Sequence, residues 1–324
     1  MTRKSTFLGS IFLDWDLRNP DGVINDRAKT QSQWETGVIN TLQLLYSTPP
    51  CRSSTAVIDA LRATGKTVTI VPFTLKPHDT AGERLKAKLN AGAVADDIPA
   101  ATVPGKRSDE LPDWAYQQIA AAPEGPERDK VIARFSGTGA GSDSKLYFTA
   151  QDWATASGAA GLDAVDETLL HELVHSLRQA KGQEDPDHLL APFPVLRGGE
   201  KDDRGNDTPQ TQLSQRYDTL EEFAAIVITN IYRSENGRQG LRRHHLVDDN
   251  QKDPPLAPPL TNPRTFLTVW RAQLERLQRE LPLLCDQIAP IDCPFNPLFE
   301  LYAAQNRFAP GTRRVLAKPW ADPR

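Results

Sequence analysis

Residues 171–175 read HELVH, which places two imidazoles and a carboxylate within one helical turn of each other. In a helix, His171 and His175 project from one face, so their ring nitrogens can address a single ion. Glu172 then lies beside the pair, where it can hold an ion-bound water, take its proton during attack on a carbonyl and hand that proton to a leaving amine. Zinc is the ion this spacing serves. The rival reading is a chance string on a solvated helix face. With six histidines in 324 residues, composition alone gives such a string in on the order of one chain in a hundred or fewer. Leu169 to Leu177 is also apolar enough that a histidine pair without partners would be costly to bury.

A catalytic zinc site uses three protein ligands and keeps a fourth position open, so a third ligand is required. The metzincin continuation HExxHxxGxxH is absent, because Arg178 stands at the glycine position and Lys181 at the third histidine. Glu184, Asp185, Asp187 and His188 lie in the polar segment that follows. Glu221 and Glu222 are better placed, since they open an almost wholly apolar run, EEFAAIVITNIY, that must be buried. One of the two has a helix-capping alternative. With Asp218 as N-cap, Glu221 completes a capping box, and with Thr219 as N-cap the role passes to Glu222. The carboxylate that is not a ligand can instead accept the outer N–H of a ligating histidine. The developing oxyanion also needs a stabiliser, for which Tyr217, Arg243, His244 and His245 are candidates.

The elements that must position these residues follow from periodicity. DETLLHELVHSLRQAKG is predicted to be a helix, with acidic residues at its positive end and Lys181-Gly182 at its close; DTLEEFAAIVITNIYRSENG forms a second. Trp34, Val38, Leu42 and Leu45 recur at helical spacing between Gln31 and Thr48, and shorter and longer helices are expected over Ser53–Ala63 and Phe266–Leu281. The N-terminal residues, KTVTIVPF and Lys145–Thr149 read as strands. Lys145–Thr149, just before the HELVH helix, is expected to be the edge strand along which an extended substrate lies. Residues 76–141 are expected to be long surface loops with short helices, and 248–264 a proline-rich connector.

Composition narrows the classes. A hydrophobic content of 39% supports a real core. Lys+Arg 38 against Asp+Glu 42 gives a net charge of -4, with no basic excess to track nucleic acid. No apolar run reaches the length of about 18 residues that spans a membrane. Asp14 and Asp16 interrupt the N-terminal apolar patch, so no signal peptide is expected. Among Cys51, Cys285 and Cys293, the last two could bridge in an oxidising compartment, but reduced thiols are the expectation.

Taken together, HELVHSLR, YDTLEEFAAIVITNIYRSENGR and LRRHHLVDD resemble the effector-type (NleD-like) zinc metallopeptidases of bacterial secretion systems and their related toxin domains, over roughly residues 50–250. STAVIDALRATGKTVTIVPF and GSDSKLYFTAQDW fit the same pattern. The resemblance implies an α+β, zincin-like fold, with a small mixed sheet packed on the HExxH helix and on a second, glutamate-bearing helix. It also implies that the glutamate directly before the hydrophobic run, Glu222, is the third zinc ligand. The expected organisation is an N-terminal strand and helix extension (1–49), a catalytic domain (50–250), and a connector with C-terminal helices packed on it (251–324). The expected function is a zinc-dependent endopeptidase with His171, His175 and Glu222 on the metal and Glu172 as base, assisted by His245 and Tyr217. It acts on a protein or peptide substrate, with a cognate inhibitor or immunity protein as a further partner. Such a protein is made in the cytoplasm and secreted or translocated into a target cell. The alternative is a catalytically inactive zincin-like protein that keeps structural zinc and docks on a partner.

Overall fold

The computed structural model describes residues 3–16, 31–47, 52–72, 91–95, 121–123, 126–133, 139–148, 165–183, 185, 220–238, 240–242 and 260–308. These residues form an α+β fold built on one mixed sheet. Its strands are β1 (Lys4–Ser5), β2 (Ile11–Leu13), β3 (Val68–Val71), β4 (Ala91–Ala95) and β5 (Ser144–Phe148), in the spatial order β1-β2-β3-β5-β4. The three central strands run parallel, with Ile11 opposite Val68 and Val68 opposite Ser144. Both edges are antiparallel, β1 to β2 and β4 to β5. Val68–Val71 is buried at every position, as a strand covered on both faces must be.

The helices are α1 (Gln31–Ser47), α2 (Arg52–Ala63), α3 (Pro126–Ala133), α4 (Val165–Ala180), α5 (Leu220–Glu235), α6 (Pro263–Glu280), α7 (Pro282–Ile288) and α8 (Pro297–Ala304). Trp34, Val38, Leu42 and Leu45 are the buried stripe of α1, and the Trp34 indole donates to the Phe148 carbonyl at 2.9 Å, tying α1 to the end of β5. The N-terminus of α2 is met by the Glu235 carboxylate, which accepts from the Arg52 and Ser53 amides at 2.8 and 3.0 Å. An anion at that position satisfies orphan donors and suits the helix dipole. Phe223 of α5, Phe266 and Trp270 of α6 and Phe295 before α8 form one aromatic cluster, with Phe223 and Trp270 ring centroids 5.4 Å apart. The C-terminal helices thus pack on α5, and a single buried core runs from Leu8 to Tyr302.

Two strand expectations are corrected here, and that of unpaired cysteines is met. The Lys145–Thr149 strand is not an edge, because β5 pairs with β3 on one side and β4 on the other. The edge on that side is β4, within the stretch read as loop. Its sequence, AGAVA, has low strand propensity and takes its form from pairing. Cys285 and Cys293 are both free and buried, as reduced thiols, and burial pushes the Cys285 thiol up to about 12.

Candidate metal centre

Helix α4 packs against α1, α2, α5, β4 and β5, and every residue from Asp166 to Ala180 is buried. A helix enclosed all round must pair each polar side chain it carries. Asp166, Glu167, Arg178 and the two histidines meet partners at three levels, mostly on α5, which lies antiparallel beside α4, while the Nδ1 atoms of both histidines and the Ser176 hydroxyl have no hydrogen-bond partner among the described residues.

At the first level, the Tyr232 hydroxyl donates to Asp166 at 2.6 Å, Arg238 reaches both Asp166 and Glu167, and Arg233 donates to Glu167 at 2.5 Å. Burial raises the Asp166 carboxyl, but the Arg238 and Tyr232 hydrogen bonds outweigh it and hold the group below its ordinary value of 3.8. Burial dominates at Glu167 and pushes it up despite both arginines.

The second level holds His171, His175 and Glu222, at 4%, 1% and 2% exposure. The two Nε2 atoms are 3.1 Å apart. Glu222 Oε2 lies 3.2 Å from His171 Nε2, and its Oε1 lies 3.4 Å from His175 Nε2. Bonds of about 2.0–2.1 Å at tetrahedral angles separate neighbouring donor atoms by roughly 3.3 Å. The three side chains are therefore spaced as the corners of one small ion's coordination shell, and this buried group could hold a metal ion. Burial drives the His171 pKa down to about 3 against the pull of Glu222. Burial also bears on His175, but Glu222, Glu221 and Glu172 together raise its pKa well above the usual 6.5. Glu172 is itself buried, and its charge reaches His175.

At the third level, Arg178 Nε stands 2.8 Å from both oxygens of Glu221, while its other nitrogens donate to Glu280 of α6 and to the Gln183 carbonyl, each at 2.6 Å. Glu221 also accepts from the Asp185 amide at 2.8 Å, and its Oε2 is 3.8 Å from His175 Nδ1. That last separation is an ion-pair distance, longer than a hydrogen bond.

Helix α4 ends in a Schellman turn: Gln183 N–H donates to the Arg178 carbonyl and Gly182 N–H to the Gln179 carbonyl. Gly182, at φ +62, packs on Gly141, at φ +69. A Cβ on Gly141 would lie 2.0 Å from the Ala180 carbonyl oxygen. The glycine-rich turn before β5 is thereby locked to the end of α4, which fixes the helix on the sheet.

Four of the expected site residues, His171, Glu172, His175 and Glu222, come together on α4 and α5. Glu221 is not in the donor group, and its partner is buried Arg178. Asp185 is described and stands outside the group, where its carboxylate pairs with Arg276. Tyr217, Arg243, His244 and His245 lie outside the described residues, as do Glu184, Asp187, His188 and the cap candidates Asp218 and Thr219. Sequence reading missed Arg178, noted only as a departure from the metzincin pattern, although a charge three residues after His175 on so apolar a helix demands a partner. It also missed Arg242, which is buried, exchanges backbone hydrogen bonds with the Asn230 side chain at 2.7 and 2.9 Å, and places its positive charge within reach of His171.

Comparison with protein-family models, with curated proteins and with solved structures gives no match.

Proposed function

We propose that this chain is a zinc-dependent endopeptidase, with His171, His175 and Glu222 as metal ligands and Glu172 as general base and then acid. The observation that carries the reading is the His171–His175–Glu222 spacing of 3.1 to 3.4 Å with Glu172 next in sequence to a ligand. Zinc, when bound, supplies Lewis acidity to a water and to a peptide carbonyl. Glu172 takes the proton released by the attacking water and delivers it to the leaving amine. Enclosure of α4 excludes bulk solvent, which strengthens every charge interaction at the site. Arg242, whose charge reaches His171, is a candidate to meet charge developing on the carbonyl oxygen.

A carboxylate next in sequence to a ligand has a use as a base at an open catalytic site and none at a closed structural one. That favours the enzyme over the docking protein. Strand β4, the last strand on that side of the sheet among the described residues, lies against α4, where an extended peptide could add beside it. Delivery as a secreted effector or toxin rests on the sequence resemblance of HELVHSLR and EEF alone.

Glu172→Gln tests the reading, because it keeps shape and removes the base. Cleavage of an unfolded protein substrate is expected to fall by about a hundred- to ten-thousandfold, with zinc content unchanged by metal analysis. Equal turnover by the variant would remove Glu172 from the chemistry, and a zinc-free wild type would remove the metal.

A further inference from the structure

Behind His175, on its Nδ1 side, charged side chains continue to the surface of α6. Glu221 faces Nδ1 at 3.8 Å. Arg178 holds Glu221 through Nε at 2.8 Å and Glu280 through a terminal nitrogen at 2.6 Å. Glu280 in turn accepts from Arg276 Nε at 2.8 Å, and Arg276 also pairs with Asp185, whose amide is bonded to Glu221. Gln183 closes the ring by donating to the Glu280 carbonyl at 2.6 Å. Arg178 is wholly buried and Arg276 is 39% exposed at its side chain, so the series runs from the core to solvent.

We propose that Glu280 of α6 is a remote positioning residue for the metal centre: through Arg178 it holds Glu221 at ion-pair distance, 3.8 Å, from Nδ1 of His175, so that α6 sets metal affinity. The inference rests on the metal reading of His171, His175 and Glu222. A carboxylate on the Nδ1 side favours the tautomer with the proton on Nδ1, which leaves the Nε2 lone pair to the ion. Glu221 alone could swing away from the ring. A guanidinium has a fixed planar fork, and anchoring its far end on Glu280 and the Gln183 carbonyl prevents the near end from following such a swing. Arg178 is therefore a lever with its fulcrum on α6.

The test measures zinc affinity of the full chain by competition with a chromophoric chelator, using the zinc ion alone as probe. Glu221→Gln is expected to weaken binding about ten- to a hundredfold, and Glu280→Gln by about two- to thirtyfold. In the Glu221→Gln background, Glu280→Gln is expected to cause no further loss, because its effect passes through Glu221. Glu300→Gln, which weakens the pair between Glu300 of α8 and Arg264 at the opposite end of α6 from Glu280, is the control and leaves affinity unchanged. Wild-type affinity in Glu280→Gln, or equal losses in both backgrounds, would overturn the proposal while the metal site stands. A wild type that binds no zinc would overturn the metal site itself. Should Glu280→Gln not fold, Arg276→Met releases Glu280 from the exposed side and is judged by the same two outcomes.

Discussion

Adjacent glutamates at the start of α5 have separate tasks, and single substitutions tell them apart. Glu222→Ala takes away a donor and is expected to strip the ion under mild chelation and end activity. Glu221→Ala leaves the three donors in place. Its larger effect is on Arg178, a fully buried cation whose removal from its partner is the expensive kind of unpairing, about 3–5 kcal/mol. Glu280 remains to hold the charge, so a loss near 3 kcal/mol in urea unfolding is expected. A loss of about 1 kcal/mol, the size of a helix cap, would mean that Arg178 is satisfied without Glu221. Spacing alone could not choose between the two glutamates, since both a ligand and a cap fit either position. The choice became visible only when Arg178 arrived beside Glu221, an encounter between residues 43 apart in the chain.

Helix α4 and its partner were legible because both are long and apolar, and the predicted spans differ from the observed ones by only a residue or two at most ends. The pairing of their polar residues was not, because it depends on antiparallel register. Asp166 and Glu167, expected only to suit a helix dipole, are tied to Tyr232, Arg233 and Arg238 at the far end of α5. Strand β4 was missed, and the short helices α7 and α8, expected only as C-terminal helices without bounds, were not delimited, for a related reason. Five small residues, or seven to eight beginning with proline, carry too little periodic signal of their own. The Asp166 link has a pH signature. Its carboxyl is depressed in the folded chain, so its contribution is complete above the ordinary value of 3.8 and is lost as pH falls through the lower, folded value. Glu167, shifted upward, acts in the opposite sense. Asp166→Asn is therefore expected to flatten the acid limb of the stability curve in urea titrations as pH falls below the ordinary carboxyl value of 3.8; an unchanged limb would place acid sensitivity elsewhere.

At the scale of the whole molecule, the His171–His175–Glu222 group that could hold an ion stands on a helix pair that packs on the sheet and on the C-terminal helices, and among the described residues no helix is long and apolar enough to cross a membrane. Ion binding at such a junction is linked to global unfolding. Zinc at about 100 times its dissociation constant is expected to add about 2.7 kcal/mol, read as a rise in melting temperature that a chelator reverses. Absence of any shift would mean that the three donors hold no ion. The parallel strands β2, β3 and β5 bear on a different property, the rate at which the chain reaches this state. The Thr67 amide finds its acceptor, Asp143, 76 residues further on, so the sheet waits for long loops to close while helices form within microseconds. During that wait the VTIV segment, which ends up buried with neighbours on both sides, is uncovered and open to strands of other chains. Recovery from denaturant should accordingly be limited by protein concentration, and the α4–α5 pair can be helical well before the sheet that supports it exists.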